Sequence, residues 1–400
     1  MANGGGGLEK SASADRGHRS PLRDYAVVLY GFILSRLALL EVGLLTESNI
    51  KPVTTFVKDQ TFSSAKILNI WGAWDTGWYI DLAVHGYQSV AKANGQANWA
   101  FFPAYPALAN AISQLTGLTA FEAMLAISNV SFLAALVVVH RLARAEFDKK
   151  TADLAVVLLC VVPESYIFSA AYTESLFLLC LSGALLLIRR EKWLAAGAVA
   201  AMAVLTRNLG VALLLPYAWA AIERVVFDRN RVAKLAPRAS ELVRIGLGGI
   251  LPVLAVAAFM LYLQSRTGDA LAFVHVQKAW GRSFGNPFAA PLAGLLHPDT
   301  LQSADLVSFV MAWVAIGLLV KLVFMRRPRL LVLAVFLTLV PLTGGLASFA
   351  RYTLVIVPLW LVLAHHLAAR PRGALAVVAI FAMLNGFMMV AWTLALKVTM

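Results

Sequence analysis

Within the stretch WGAWDTGWYIDLAVHGY (71–87), Asp75 sits between tryptophans in an otherwise apolar chain. A carboxylate partly stripped of water in this way can serve as a general base for an alcohol, because burial favours proton uptake. The same residue, followed by Thr76 and Gly77, also fits the capping position of a short helix. Asp81 and His85 lie four apart and share one helix face. They suit a surface pair, an acceptor contact or support for the site. With no third His, Cys or carboxylate at ligand spacing, no metal is required, and a divalent metal is the minor alternative.

Further along, NWAFFPAYP (98–106) offers aromatic faces for a sugar ring or a lipid chain, or simply the packing of a turn. PESYIFSAAYTES (163–175) holds Glu164 and Glu174 with Tyr166 and Tyr172; Glu174 is also placed to meet a helix dipole. Arg36, Arg207 in LTRNLG and Arg351 in SFARYTL lie at or within apolar runs, where an unpaired charge costs roughly 2.5–3.5 kcal/mol on insertion scales. Arg207 and Arg351 could share one phosphate or carboxylate, whose paired oxygens match the guanidinium fork, or could snorkel to headgroups. The segment FVHVQKAWGRSFGNP (273–287) gathers His275, Gln277, Lys278, Trp280 and Arg282.

The elements that position these residues are membrane helices. Of the 400 residues 60% are hydrophobic and 14% charged, far from the balance of soluble domains. Eleven apolar runs are long enough to be candidate spans: 25–46, 118–141, 152–169, 172–188, 193–206, 209–226, 245–263, 304–325, 330–346, 352–369 and 373–396, with 193–206 and 330–346 the shortest. The first carries Arg36 and no small-residue cleavage site, so it reads as a retained helix rather than a signal peptide. With residues 1–22 as a disordered cytoplasmic tail, most Lys and Arg fall on the inside loops. That distribution accounts for the net charge of +13 without nucleic acid. Cys160 and Cys180 fall inside apolar runs, as packing residues do.

The fold class is therefore an all-α polytopic membrane protein. Residues 23–400 form one transmembrane domain of about eleven helices, and the long outside loops 47–117 and 264–303 carry helices of their own. Trp71, Trp74 and Trp78 recur at helical spacing, as in a segment lying at headgroup level. A lipid or sugar transporter or flippase is the alternative. A transporter would bind near the bilayer midplane and often shows paired repeats, whereas these polar groups gather at one boundary and no repeat is evident.

In order along the chain, WDTGWYIDLAVHGY, NWAFFPAYP, PESYIFSAAYTESLF, TRNLG, VQKAW and SFARY resemble the PIG-V-type mannosyltransferases of the GT-C glycosyltransferase superfamily. The resemblance covers roughly residues 30 to 370. It implies a polyprenyl- or dolichyl-phosphate-sugar donor, with mannose the expected hexose. The expected acceptor is a hydroxyl of a glycolipid or glycan, which attacks the donor's anomeric carbon with inversion. On the same resemblance Asp75 is the base, and Arg351 and Tyr352, with Arg207, bind the donor phosphate. Glu174, Gln277 and Trp280 stand at motif positions as acceptor contacts or support. No cofactor is implied, and a small membrane partner subunit is left open. The short cytoplasmic loops and glycine-rich tail look bacterial, which implies a plasma-membrane enzyme whose site faces outward.

Overall fold

The computed structural model describes residues 25–50, 61–227, 239–282 and 284–399. The tail 1–22 lies outside the described residues. Regular structure among them is helical throughout. The longer helices are α1 (Ala26–Asn49), α2 (Thr76–His85), α3 (Ala104–Thr116), α4 (Ala120–Glu146), α5 (Lys149–Val161), α6 (Glu174–Arg189) and α7 (Trp193–Thr206). They continue as α8 (Leu214–Ile222), α9 (Ala239–Thr267), α10 (Ala289–Leu296), α11 (Leu306–Phe324), α12 (Pro328–Leu342), α13 (Val357–Ala368) and α14 (Pro371–Thr393).

Their ends follow local chemistry. Thr119 and Glu122 form a reciprocal capping box before α4, and the Asp148 carboxylate accepts from Thr151 N to start α5. Prolines 328 and 371 open α12 and α14, where the missing N–H has no helical partner to lose.

Every apolar run predicted from the sequence contains a helix, but the helices differ in length. Among the described residues six stretches are long and apolar enough to cross a membrane: α1, α4, Asn208–Val226, α9, α11 and α14. Helices α7, α12 and α13 are apolar but shorter, and α5 and α6 span 13 and 16 residues. Packing explains the short pair. Helix α5 is walled by α1, α4, α13 and α14, and α6 by α4 and α7, so both meet protein rather than lipid and need not match the bilayer's ~30 Å. The chain joining them, residues 162–173, is itself buried. The predicted run 352–369 instead merges two elements, a turn Phe349–Thr353 and then α13.

Helix α7 lies against α9 at backbone contact, since a Cβ on Gly197 would stand 2.0 Å from the Gly248 carbonyl oxygen. Helices α1, α9 and α14 are the least buried of the long helices and form the rim. One end of the bundle is basic: Glu146 pairs with Arg189 at 2.7 Å and with Arg327 at 2.8 Å, and Arg141 donates to Tyr25 at 2.8 Å. The opposite end carries α2, α3 and the cluster described next.

Candidate active site

Asp75 is held by a tightly pinned segment. The Ile70 carbonyl accepts from Trp392 Nε1 (3.0 Å), the Trp71 carbonyl from Ala171 N (3.2 Å), and Trp74 Nε1 donates to Thr399 Oγ1 (3.0 Å). Asp75 N donates to the Tyr172 hydroxyl at 2.9 Å, which in turn donates to the Ala73 carbonyl at 3.2 Å. Trp74 occupies the left-handed region (φ 49°), a rare conformation for a bulky side chain that persists only where surroundings enforce it. The Asp75 carboxylate makes no capping bond to α2. Instead it accepts from Arg351 Nη1 at 2.9 Å.

Arg351 extends from the turn Phe349–Thr353, which is entered through another left-handed residue, Ser348 (φ 60°). Its Nε lies 3.6 Å from Glu174 Oε1, and the same carboxylate is bonded to Arg207 Nη1, which also donates to Thr173 Oγ1 at 3.1 Å. A third left-handed residue, Glu164 (φ 70°), lies in the buried turn that delivers Glu174 to the first position of α6. The Arg207 turn depends on Gly210: a Cβ there would stand 2.4 Å from the backbone of Ala203 and Val204. The result is an alternating row, Asp75, Arg351, Glu174, Arg207. Exposure separates the two acids: the Asp75 side chain is 27% exposed and that of Glu174 1%, so Asp75 alone of the pair can meet a substrate.

Asp75, Arg351 and Arg207 of this row line a cleft of about 170 Å³. Phe101, Phe102, Tyr79, Asn208, Gln277, Trp280, Arg282 and Tyr352 are among the residues that complete it. Trp280 stands edge-on to Trp78 (5.8 Å) and Phe101 (6.2 Å). Trp78 is itself engaged, stacked on Phe101 at 6.0 Å with Lys92 Nζ 3.9 Å from its ring. Arg282 Nη1 donates to the Tyr352 hydroxyl at 2.7 Å, and Arg207 lies over the Tyr352 ring at 5.2 Å. Burial, reinforced by nearby Glu174, pushes the Tyr79 phenol above its ordinary range and keeps it a neutral hydroxyl.

Residues 32–267, more than half of the chain, match the family described as mannosyltransferase (PIG-V). The chain belongs to that family. The helical bundle is similar in fold to solved structures of the GT-C class. The oligosaccharyltransferase of Archaeoglobus fulgidus in the apo form aligns with a TM-score of 0.53 at 14% identity, over 94% of this chain and 56% of that one. ArnT of Cupriavidus metallidurans bound to undecaprenyl phosphate aligns with a TM-score of 0.52 at 14% identity, over 92% and 77%. The chain thus spans little more than half the length of the archaeal enzyme, and at these identities the likeness concerns fold. No curated protein matches the sequence significantly.

Of the residues singled out in this PIG-V family member from sequence, Asp75, Arg207, Gln277, Trp280, Arg351 and Tyr352 line one cleft, with Glu174 bonded directly behind it. Asp81 and His85 do not reach it. They lie toward the far end of α2, where Asp81 pairs with His85 (3.1 Å) and accepts from Asn98 (3.0 Å) and Gln88 (3.3 Å), fastening α2 to the turn at 98–100. An acceptor contact at Asp75 is therefore out of their reach, and support is the role their bonds fit. His85 borders a separate groove of about 560 Å³.

Arg36 is neither a snorkelling residue nor part of the cleft. It is buried, donating to the Ser165 carbonyl (2.8 Å), Ser165 Oγ (2.7 Å) and the Cys160 carbonyl (3.2 Å), and so anchors the turn that presents Glu174. Among the described residues no three His, Cys, Asp or Glu side chains converge as metal ligands. Tyr79 and Thr173 escaped sequence reasoning, and Tyr172 was singled out there without a role. Tyr79, four residues after Asp75 on the same helix face, is the one that spacing could have found.

Proposed function

We propose that the protein transfers one hexose, mannose first, from a polyprenyl-phosphate donor to a hydroxyl of a glycolipid or glycan, with inversion and with Asp75 as the base. The single observation that carries this reading is the Asp75–Arg351 pair at the edge of an aromatic-lined cleft. One member is a partly exposed carboxylate able to take a proton, and the other is a guanidinium suited to a phosphate. The cleft is smaller than the roughly 300–1,000 Å³ of drug-sized ligand pockets, which suits one sugar unit with both lipid chains outside it. The undecaprenyl phosphate in ArnT is consistent with a lipid-phosphate donor.

In this mechanism the acceptor oxygen attacks the anomeric carbon as Asp75 removes its proton. The departing lipid phosphate is stabilised by arginines, and Trp280 offers a ring face to the sugar. No step calls for a cofactor. The basic end of the bundle favours the cytoplasm, which would put the cleft on the outer face of a bacterial plasma membrane with the N-terminus inside. The test is radiolabel transfer by the purified, reconstituted chain from polyprenyl-phosphate-mannose to a membrane lipid extract, with the product identified. Labelled product is expected; its absence with active donor and native lipids would overturn the reading.

A further inference from the structure

Three guanidiniums border the cleft, and their partners differ. Arg207 is bonded to Glu174 and Thr173, and Arg351 to Asp75. Two carboxylates and two guanidiniums close this group electrically before any substrate arrives. Arg282 also borders the cleft, and among the described residues its charge has no carboxylate partner; its Nη1 donates to the Tyr352 hydroxyl at 2.7 Å. Its backbone is fixed by a bond from Arg282 N to the Gln277 carbonyl (3.2 Å), and the segment is tied across to α12 by Gly285 N to the Thr343 carbonyl (2.9 Å). The side chain is thus carried by an anchored roof. Arg351 Nε, buried and facing Glu174, makes no hydrogen bond among the described residues.

We propose that Arg282 binds the phosphate of the intact donor, with Tyr352 as its resting partner, and that Arg351 is the residue that takes up the charge the phosphate gains during transfer. The inference rests on the reading of the cleft as a lipid-phosphate-sugar transferase site. A sugar joined to a lipid through one phosphate is a phosphodiester with a single negative charge, and Arg282 is the cleft cation left over to meet it. In the reaction the acceptor oxygen bonds to C1 and the bond from C1 to the phosphate oxygen breaks. The electron pair stays on phosphate, and the acceptor proton goes to Asp75. The released monoester carries about −1.5 to −2 at neutral pH.

Negative charge therefore leaves Asp75 while it arrives on the phosphate. Arg351, bonded to the first, is released to the second as the proton moves, so no charge is left uncompensated in a poorly hydrated site. Arg282 thus contributes equally before and during transfer, and Arg351 contributes chiefly in the transition state. Arg207 remains with Glu174 and acts as a positioning residue.

The assignment is tested by donor titration of the full reconstituted chain with polyprenyl-phosphate-mannose at saturating acceptor extract. Arg282→Ala should raise the donor KM about tenfold or more with kcat within about threefold, and Arg282→Lys should recover part of the loss. Arg351→Lys, which keeps the buried charge, should lower kcat about a hundredfold with little change in donor KM. Arg282→Ala should also weaken product inhibition by polyprenyl phosphate. A wild-type chain that transfers nothing defeats the transferase reading and this proposal with it. An active wild type whose Arg282→Ala variant keeps its donor KM, or whose Arg351→Lys variant loses KM rather than kcat, overturns this assignment alone.

Discussion

Arg351 reaches Asp75 across 276 residues of chain and donates a 2.9 Å hydrogen bond to its Oδ2. The proposed base and the proposed phosphate ligand are therefore in contact before substrate arrives, and the carboxylate is directed away from capping α2. Asp75→Asn keeps the shape and an amide oxygen for Arg351 but cannot take a proton. Transfer should fall about 10²- to 10⁴-fold, the usual range for loss of a positioned general base, while binding of lipid phosphate is retained. A purified Asp75→Asn chain with wild-type turnover would remove Asp75 from the base role.

The positions of the helices were legible in the sequence because apolar length is the dominant signal in a membrane chain. Asp75, Arg207 and Arg351 were legible because charges beside apolar runs are costly without partners. The pairing was not. Arg207 and Arg351 suggested one shared anion, and they do share Glu174, but an acid at a helix start has a sufficient local explanation in the dipole. Arg36 carried the same signal as the other two and proved to be a scaffold, because its partners are backbone carbonyls and serine hydroxyls with no sequence signature. Asp81 and His85 had the right types and spacing, but α2 carries them away from the cleft.

Glu174 is the buried centre of the row, so its removal should be felt first as instability. Glu174→Gln leaves Arg207 without a carboxylate at a site where both arginine side chains are about nine-tenths buried. Breaking a buried pair from one side typically costs about 3–5 kcal/mol. Glu174→Gln combined with Arg207→Gln should recover part of that loss, because the second change removes the stranded charge. Unfolding in detergent by heat or denaturant gives the comparison, and strict additivity of the two changes would show that the pair is not coupled.

Gly210 bears on activity through geometry alone. The Cβ of Gly210→Ala would overlap the Ala203–Val204 backbone at 2.4 Å, so the turn that starts at Arg207 must shift away from the end of α7. Because Gly210 N bonds to the Arg207 carbonyl at 2.9 Å, the displacement is passed to Arg207 and its contact with Glu174. Displacements of about 1 Å in a positioning residue can cost roughly a hundredfold in rate. The expected outcome is a large fall in transfer with the chain still inserted and monodisperse. Activity near wild type in Gly210→Ala would mean that Arg207's placement does not limit the reaction.

Tyr172 acts on Asp75 through the backbone. Its hydroxyl accepts from Asp75 N and donates to the Ala73 carbonyl, holding both ends of the left-handed turn at Trp74. Tyr172→Phe preserves the ring packed against Tyr79 and Trp392 but leaves Asp75 N unpaired, at about 1–3 kcal/mol for a buried polar group, while the Ala73 carbonyl keeps only its bond from Thr76 N (3.0 Å). Because the Trp74 conformation is strained and held from outside, the turn should relax and carry the carboxylate away from Arg351. A positioning role predicts lower kcat with donor KM unchanged, whereas a merely structural role predicts lower thermal stability with full activity at low temperature. Assaying Tyr172→Phe well below its unfolding transition separates the two, and full turnover there would assign Tyr172 to the scaffold.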